Sequence, residues 1–489
     1  MTRKLLPSIL FLLAVGAFTG ATAFAPALRK TIPSRKTTTW QQDLEARLEE
    51  LEKYIGTNAA FGHDLSHSLK TANDNAKGAH NTKSALNPEL YKAFLLEVNG
   101  WATSFEDYFK YLTWHASYVP RQNDYEGWLN GTTQDYYSTH QEVYDRLCHF
   151  YYLINQQLPS GGTVQDNTWF AAWLVKYAQV WGKFCNAPES ISPESIYSFH
   201  KLSNFNVTDS MIPMNEEDID GNINNYTIYN DKGQPMRPNS PSAGWMSWNQ
   251  MFARELNPGL RPIDSPTDNS VVCAPADCTF RASYPISADN EVQSNRIKRT
   301  HTIGDIADLL KGSQYAEAFA NGTFVHYFLG PYSYHRFHTP VAGVVKECFP
   351  VPGLTYVDIR IDDKGQFDAP DDSENGYEFA QARGVITIDT TDSPHGNVGI
   401  VAVIPIGLGQ VSSVRMIATE GARLQKGDEF GYFQFGGSDM IMLFQKGVVP
   451  ESNLFDSITG YNHFGMQAAT ATKRLTTDLE ALIDININI

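Results

Sequence analysis

The chain contains 489 residues, of which 42% are hydrophobic and 19% are charged, and its formal net charge is −16. Such a length predicts two or three domains, and the composition is typical of a folded protein with a packed core rather than of a disordered chain. The negative charge argues against a nucleic-acid partner, because few cations would be left to neutralise phosphates, and it disfavours non-specific attraction to anionic membranes.

Residues 1–39 are predicted to be a targeting presequence. Arg3 and Lys4 precede an apolar run from Leu5 to Phe18, and Ala21-Thr22-Ala23 has the small residues of a cleavage site. The residues that follow are basic, rich in threonine and free of acidic side chains, which is typical of a transit peptide. The segment resembles the bipartite presequences that direct proteins into the complex plastids of algae. The secretory pathway is the alternative, and it is compatible with four N-x-T sequons, at Asn130, Asn206, Asn225 and Asn321.

Residues 40–190 are predicted to form a helical N-terminal domain. Leucines at helical spacing indicate a helix over Trp40–Ile55, whereas the polar stretch Gly56–Ser84 is predicted to be a loop. The many Tyr and Trp side chains of this region are predicted to build a helical core rather than a ligand cage. Further helices of the same period are predicted to begin at Asn87-Pro88 and to cover Phe105–Trp114 and Glu142–Leu153.

Residues 191–243 are rich in Asn, Ser, Pro, Asp and Gly and are predicted to be a linker or a long loop-rich excursion. Within them, Glu216–Asp220 does not complete the ligand pattern of a calcium loop. The five cysteines of the chain contain no C-x-x-C pair, so neither a zinc site nor a disulfide scaffold is predicted, and no metal is expected. No run after the presequence reaches the roughly 20 apolar residues of a membrane helix, so the mature protein is predicted to be soluble or peripheral.

Two predicted strands flank the tripeptide Gly436-Gly437-Ser438. Gly427 marks a turn, Tyr432–Gln434 alternate loosely between apolar and polar residues, and Met440–Phe444 is an apolar run of strand length. Glycines at this point let another group approach the backbone closely, and a hydroxyl follows at once. On these residues alone, a glycine-containing hairpin with an ordinary surface serine is the simpler interpretation.

Two further motifs come earlier in the chain. An apolar strand at Val271–Cys273 leads into Ala274-Pro275-Ala276-Asp277, and a predicted strand at Val325–Leu329 leads into Tyr334-His335-Arg336-Phe337-His338. Taken singly, the aspartate fits a turn cap. The two histidines fit an exposed strand edge better than a metal pair, because no third ligand is close in sequence.

Together, K-G-D-E-F-G-Y-F-x-F-G-G-S at 426–438, Y-H-R-x-H-x-P-V-x-G at 334–343 and P-A-D at 275–277 resemble the phosphatidylserine decarboxylase family, in the family's order. The resemblance implies that Ser438 attacks the carbonyl of Gly437 and that an acyl shift and β-elimination cut the chain between them. The dehydroalanine left at 438 then hydrolyses to a pyruvoyl group. This carbonyl would do the work of PLP, so neither PLP nor a metal is expected as a cofactor.

The same resemblance implies a role for three other residues. His335 is the base that takes the proton of Ser438, and Asp277 orients its ring and stabilises the imidazolium. A serine hydroxyl needs such a base because it is almost wholly protonated at neutral pH. His338 is expected to hold the substrate carboxylate or to return a proton after decarboxylation.

The predicted fold is therefore α+β: a helical N-terminal region followed by a mostly β catalytic domain over 244–489. Cleavage between 437 and 438 would leave two chains that remain associated. Phosphatidylserine is the expected substrate, giving phosphatidylethanolamine and CO2 with peripheral membrane contact. The alternative is a free amino acid such as tryptophan, because the helical region resembles the extension of soluble fungal relatives. A second alternative is a binding protein that no longer processes itself, since Asp439 replaces the family's usual threonine or serine and Cys278 replaces a glycine.

Overall fold

Helices form the N-terminal part of the chain and β-strands dominate the rest, which confirms the predicted α+β class. The computed structural model describes residues 39–79, 85–96, 99–121, 142–192, 195, 210–211, 245, 247–256, 258–292, 305–331, 333–369, 377–410, 413–434, 438–450, 454 and 460–473. Outside these residues lie positions 1–38 of the predicted presequence, nearly all of the predicted linker at 191–243, and a helical pattern at Leu475–Ile483.

The N-terminal helices bury apolar side chains in a shared core, and several begin at a capping residue. Asn58, Ser104 and Asn167 each accept a hydrogen bond from the backbone N–H three residues later. In the first helix, Leu44 and Leu51 are buried two turns apart. The bounds are α1 Thr39–Thr57, α2 Ala59–Ala76, α3 Pro88–Leu96, α4 Phe105–His115, α5 Glu142–Tyr152 and α6 Thr168–Cys185.

The prediction of a loop over Gly56–Ser84 is wrong, because α2 occupies most of that stretch. Phe61, Leu65 and Leu69 stand four residues apart and are buried together. These three residues form a narrow apolar face, and the polar residues between them obscure the helical pattern in the sequence. The helices predicted at Trp40, at Asn87-Pro88, at Phe105 and at Glu142 are confirmed to within a few residues.

The strands are, in chain order, β1 Ser210–Met211, β2 Glu255–Leu256, β3 Val271–Cys273, β4 Cys278–Pro285, β5 Thr323–Leu329, β6 Arg336–His338, β7 Gly343–Val351, β8 Arg360–Ile361, β9 Phe367–Asp368, β10 Arg383–Asp389, β11 Ile400–Gly407, β12 Ser413–Met416, β13 Arg423–Leu424, β14 Glu429–Gln434, β15 Ser438–Phe444, β16 Tyr461–Asn462 and β17 Gln467–Thr470. In the part of the chain that is described, the largest sheet has eight antiparallel strands in the order β13-β7-β10-β11-β15-β5-β4-β16. Smaller sheets join β12-β14-β6 and β17-β3.

Strand β15 lies inside the large sheet, between β5 and β11. Its first residue, Ser438, is opposite Leu329 on β5 and Gly407 on β11. All seven of its residues are buried, as expected for a strand that is covered on both faces. Met440 and Met442 belong to one hydrophobic core and Ile441 to the other, so alternate side chains reach opposite layers.

The N-terminal helices pack on the face of the sheet that carries Met440 and Met442, because the buried residues of both form one hydrophobic cluster. Hydrogen bonds also join the layers: the Asn155 amide donates to Asp358 Oδ1 (2.7 Å), and Gln165 Nε2 donates to the carbonyl of Val357 (2.9 Å). The opposite face is covered by a short helix, α7 Ile306–Leu309, and a 3-10 turn. The predicted domain boundaries at 190 and 244 stay predictions. Among the described helices, none combines the length and apolar character needed to cross a bilayer.

Candidate functional site

Ser438 occupies the first position of β15 and is fully buried. Alternation along the strand places it on the same face as Met440, beneath the layer of N-terminal helices. Its hydroxyl has no hydrogen-bond partner among the described residues. Gly436 and Gly437, the other half of the predicted cleavage site, lie outside those residues. A buried hydroxyl without a partner is unusual and is a common mark of a functional group.

Backbone hydrogen bonds bring the three sequence motifs together. The His338 N–H donates to the carbonyl of Pro275 (2.7 Å), which joins the histidine motif to the segment that ends in Asp277. The Phe433 N–H donates to the carbonyl of His335 (2.9 Å), which joins the histidine motif to β14. Because β14 ends at Gln434 and β15 begins at Ser438, both histidines lie beside the strand that leads into the predicted cut.

Charged residues of the motifs fix this arrangement. Arg336, between the two histidines, makes an ion pair with Glu429 on β14 (2.7 Å) and donates from Nε to the carbonyl of Ala253 (2.9 Å). Lys426, at the start of the last motif, donates from Nζ to the carbonyls of Ser265 and Val271, both at 2.7 Å. The lysine therefore ties the turn before β14 to the loop that enters β3.

His335 is buried with its ring stacked on Phe252, 3.8 Å between centroids, and edge-on to Phe433. Neither ring nitrogen makes a hydrogen bond of normal geometry within the described part of the chain. Burial and the neighbouring Arg254 hold the pKa of His335 well below its ordinary value, and the Ser333 backbone and the charge of Asp277 oppose them. The imidazole is therefore neutral at physiological pH, which is the state a general base requires.

Asp277 is buried at the end of the loop between β3 and β4, and His335 is not among its hydrogen-bond partners. It accepts hydrogen bonds from Arg261, from His463 Nδ1 (3.0 Å) and from the Phe464 N–H (2.9 Å). Burial by itself would raise the pKa of Asp277, but the bonds from His463 and Arg261 outweigh it and hold the pKa below its usual value. The carboxylate is therefore ionised, and in this structure it acts on His335 through its charge rather than by orienting the ring.

His338 is almost fully buried, and both of its ring nitrogens are engaged. Nδ1 is 2.8 Å from the carbonyl of Gly427, which can only accept, so Nδ1 carries the proton. Nε2 then accepts from the Tyr334 hydroxyl (3.1 Å), and the ring stacks on Phe464 at 3.7 Å. Burial lowers the pKa of His338 to about 4, against the opposing effects of Gly427 and Asp277. The ring is thus neutral, with one defined tautomer.

Sequence reasoning missed four polar residues that surround these groups: Arg254, Arg261, Tyr334 and His463. Tyr334 is the first residue of the motif at 334–343, so that motif was a signal for it. His463 gave no signal, because it follows a segment with no recognised motif. It reaches Asp277 because β16 returns to pair with β4, where Asn462 is opposite Cys278.

Cys278, one of the two departures from the family's pattern, causes no backbone strain. It takes the first position of β4, it is fully buried, and its φ does not fall in the left-handed region. The conformational freedom of a glycine is therefore not needed at this position.

Comparison with known proteins identifies the same region. The family model described as phosphatidylserine decarboxylase matches residues 248–459. Phosphatidylserine decarboxylase proenzyme 2 of rice is 31% identical over 209 residues, which are 43% of this chain and 31% of the relative. Decarboxylase iboD of Amanita muscaria is 29% identical over 219 residues, 42% of this chain and 60% of the relative.

A third relative, the phosphatidylserine decarboxylase proenzyme of Chlamydia trachomatis, is 29% identical over 229 residues, 47% of this chain and 68% of its own length. The chain thus spans less than two thirds of the rice and Amanita relatives. In each case the similarity involves less than half of this chain, and the family model places it in the part that holds Asp277, both histidines and Ser438. On this evidence residues 248–459 are similar to the phosphatidylserine decarboxylase family.

Proposed function

We propose that this protein is a decarboxylase that cuts its own chain between Gly437 and Ser438 and carries a pyruvoyl group at residue 438. The observation that carries the proposal is the Ser438 hydroxyl, which is fully buried and lacks a partner among the described residues. A buried hydroxyl without a partner costs about 1–3 kcal/mol of stability. The names of the rice and Chlamydia relatives, both proenzymes, support a processed precursor.

The self-processing step uses residues of this chain alone. Ser438 Oγ bonds to the carbonyl carbon of Gly437, and the C–N bond between the two residues breaks while His335 carries the proton from Oγ to the departing nitrogen. Loss of the α-proton of residue 438 then breaks its Cβ–Oγ bond and releases the first chain with a carboxylate at Gly437. Water replaces the amine of residue 438, which leaves as ammonia.

The residues around His335 suit it to this exchange. Its lowered pKa keeps the imidazole neutral and ready to take a proton, while the negative charge of Asp277 stabilises the imidazolium during the transfer. His338 receives a hydrogen bond at Nε2 from Tyr334, so it must gain a proton there before it can return one to the substrate. We assign these roles as a proposal for this chain.

A pyruvoyl carbonyl at residue 438 supplies an electrophile that binds the substrate amine and accepts the electrons released as CO2 leaves. The site suits such a group because Ser438 is buried between two strands, where water is excluded.

Phosphatidylserine is the first candidate substrate, because several relatives carry the name of that reaction. A free amino acid is the second candidate, and one observation favours it. Helices cover the face of the sheet to which Ser438 belongs, which restricts the approach of a bilayer, and the Amanita relative is named only as a decarboxylase.

The discriminating experiment measures CO2 release by the purified protein from carboxyl-labelled phosphatidylserine in vesicles and from labelled free amino acids, with Ser438→Ala as the blank. Release from vesicles alone supports the first substrate, and release from a free amino acid alone supports the second. A processed protein that releases CO2 from neither would contradict both assignments.

A further inference from the structure

A buried hydrogen-bonded pair lies directly behind the predicted cleavage site. Asp439 follows Ser438 on β15, and its side chain reaches the opposite face of the sheet, where its Oδ1 is 3.2 Å from Nε2 of His326 on β5. Asp439 stands opposite Phe328, and His326 stands opposite Ile441, so the two residues are diagonal neighbours across the strands. Both side chains are fully buried.

The surroundings make this pair energetically demanding. It lies on the face of the sheet whose buried residues include Phe324, Ile406 and Ile441. A carboxylate buried among apolar side chains costs several kcal/mol unless a donor satisfies it, and removal of one partner leaves the other in an unfavourable place. Loss of either side chain is therefore expected to destabilise the buried state of the other.

The pair lies next to the predicted cut, where it can hold the end of the second chain in place. After cleavage, residue 438 is the first residue of the second chain and has lost its covalent tether on the N-terminal side. Its backbone is then held by the neighbouring strands at Leu329 and Gly407 and by whatever fixes the next residue. The bond from His326 fixes Asp439 from the far side of the sheet.

We propose that His326 and Asp439 act as a clamp that positions residue 438, first for the attack on Gly437 and then as the end of the new chain. This inference rests on the proposed self-processing. It also accounts for the acid at a position where the family usually has threonine or serine, because this chain supplies a histidine at the diagonal position on β5. Both are positioning residues, since they contact neither substrate nor the reacting atoms.

The test is the rate of self-cleavage, followed by intact mass during cell-free synthesis, for Asp439→Ala, His326→Ala, the double variant and Asp439→Asn. We expect each alanine variant to cleave about tenfold more slowly, as for loss of a partner to a buried polar group. The double variant should be no slower than either single variant. Asp439→Asn keeps an acceptor for Nε2–H and should cleave at close to the wild-type rate.

Two controls separate positioning from stability. Val385→Ala removes buried volume from the same face on β10, a strand that is adjacent to neither β15 nor β5, and it should cleave at the wild-type rate wherever it is folded. Each substitution is also placed in the uncut Ser438→Ala chain, whose thermal midpoint sets a temperature at which all variants are folded.

The outcomes are distinct for the two proposals. An uncut wild-type chain overturns the self-processing and the clamp with it. A wild-type chain that cleaves, with Asp439→Ala at the same rate or with Asp439→Asn and Val385→Ala as slow as Asp439→Ala, overturns the clamp alone.

Discussion

Asp277 accepts a hydrogen bond from His463 Nδ1 across 3.0 Å, and the predicted cut lies between these two residues in the chain. The Phe464 N–H donates to the same carboxylate at 2.9 Å. Segments from both sides of residue 438 therefore build one site. Strand β15 adds to this connection, because it lies between β5 and β11 of the preceding segment.

From this arrangement we predict that the two chains stay together after cleavage. Separation would break the strand pairing of β15 on both sides and expose seven buried residues. The measurement is size-exclusion chromatography in native buffer, followed by mass spectrometry of the peak. Both chains should elute together and separate only in denaturant, and separate elution in native buffer would contradict the prediction.

Replacing His335 by phenylalanine should block cleavage without loss of stability. The new ring keeps the stack on Phe252 and removes two nitrogens that lack hydrogen bonds of normal geometry among the described residues. We expect an uncut chain with a free energy of unfolding equal to or above that of Ser438→Ala. His395→Phe is the control. It changes a partly exposed histidine outside the three motifs and should leave cleavage intact. Cleavage of His335→Phe would remove His335 from the mechanism.

Asp277→Asn should slow cleavage and also destabilise the fold. The change removes the charge that opposes the lowering of the His335 pKa, and it leaves Arg261 without its ionised partner. Breaking a buried pair in this way costs about 3–5 kcal/mol. The free energy of unfolding is compared in the Ser438→Ala chain, with the exposed Asp392→Asn as control. An equal loss of unfolding free energy in Asp277→Asn and Asp392→Asn would contradict the role assigned to Asp277.

Acid should weaken the fold through His338. Its pKa is lowered to about 4 in the folded chain against an ordinary 6.5, so between these values the unfolded chain binds the proton more readily. Stability should therefore fall as the pH drops through this window, by on the order of 3 kcal/mol from this residue. Buried His115, with its pKa lowered to about 3, acts in the same direction.

The contribution of His338 is isolated by comparing Ser438→Ala with and without His338→Gln in urea unfolding at several pH values. The glutamine variant should lose less stability on acidification, because it does not titrate. Parallel pH profiles would show that His338 does not contribute in this way.

The elements that sequence could predict are those with a strong periodic signal. Residues Met440–Phe444 form an unbroken apolar run, so the strand was predictable, and the structure starts it two residues earlier at Ser438. Helix α2 was not predictable, because its apolar residues are separated by polar ones and only tertiary packing makes them a core.

The candidate site was predictable as a set of motifs but not as a set of contacts. The family resemblance predicted that Asp277 orients the ring of His335. In the structure its carboxylate accepts hydrogen bonds from Arg261 and His463 instead. His463 is more than 180 residues away from Asp277, and only the return of β16 to β4 brings it close. The contact of Asp439 with His326 could not be predicted either, because a lone histidine in an apolar strand does not by itself indicate a partner.

Self-processing at residue 438 is tested by the intact mass of the purified protein beside that of Ser438→Ala. We expect two fragments for the wild type, the first ending at Gly437 and the second beginning at residue 438 with a blocked N-terminus, and one full chain for the variant. A single uncut wild-type chain would contradict self-processing and would favour a binding protein that has kept the decarboxylase fold.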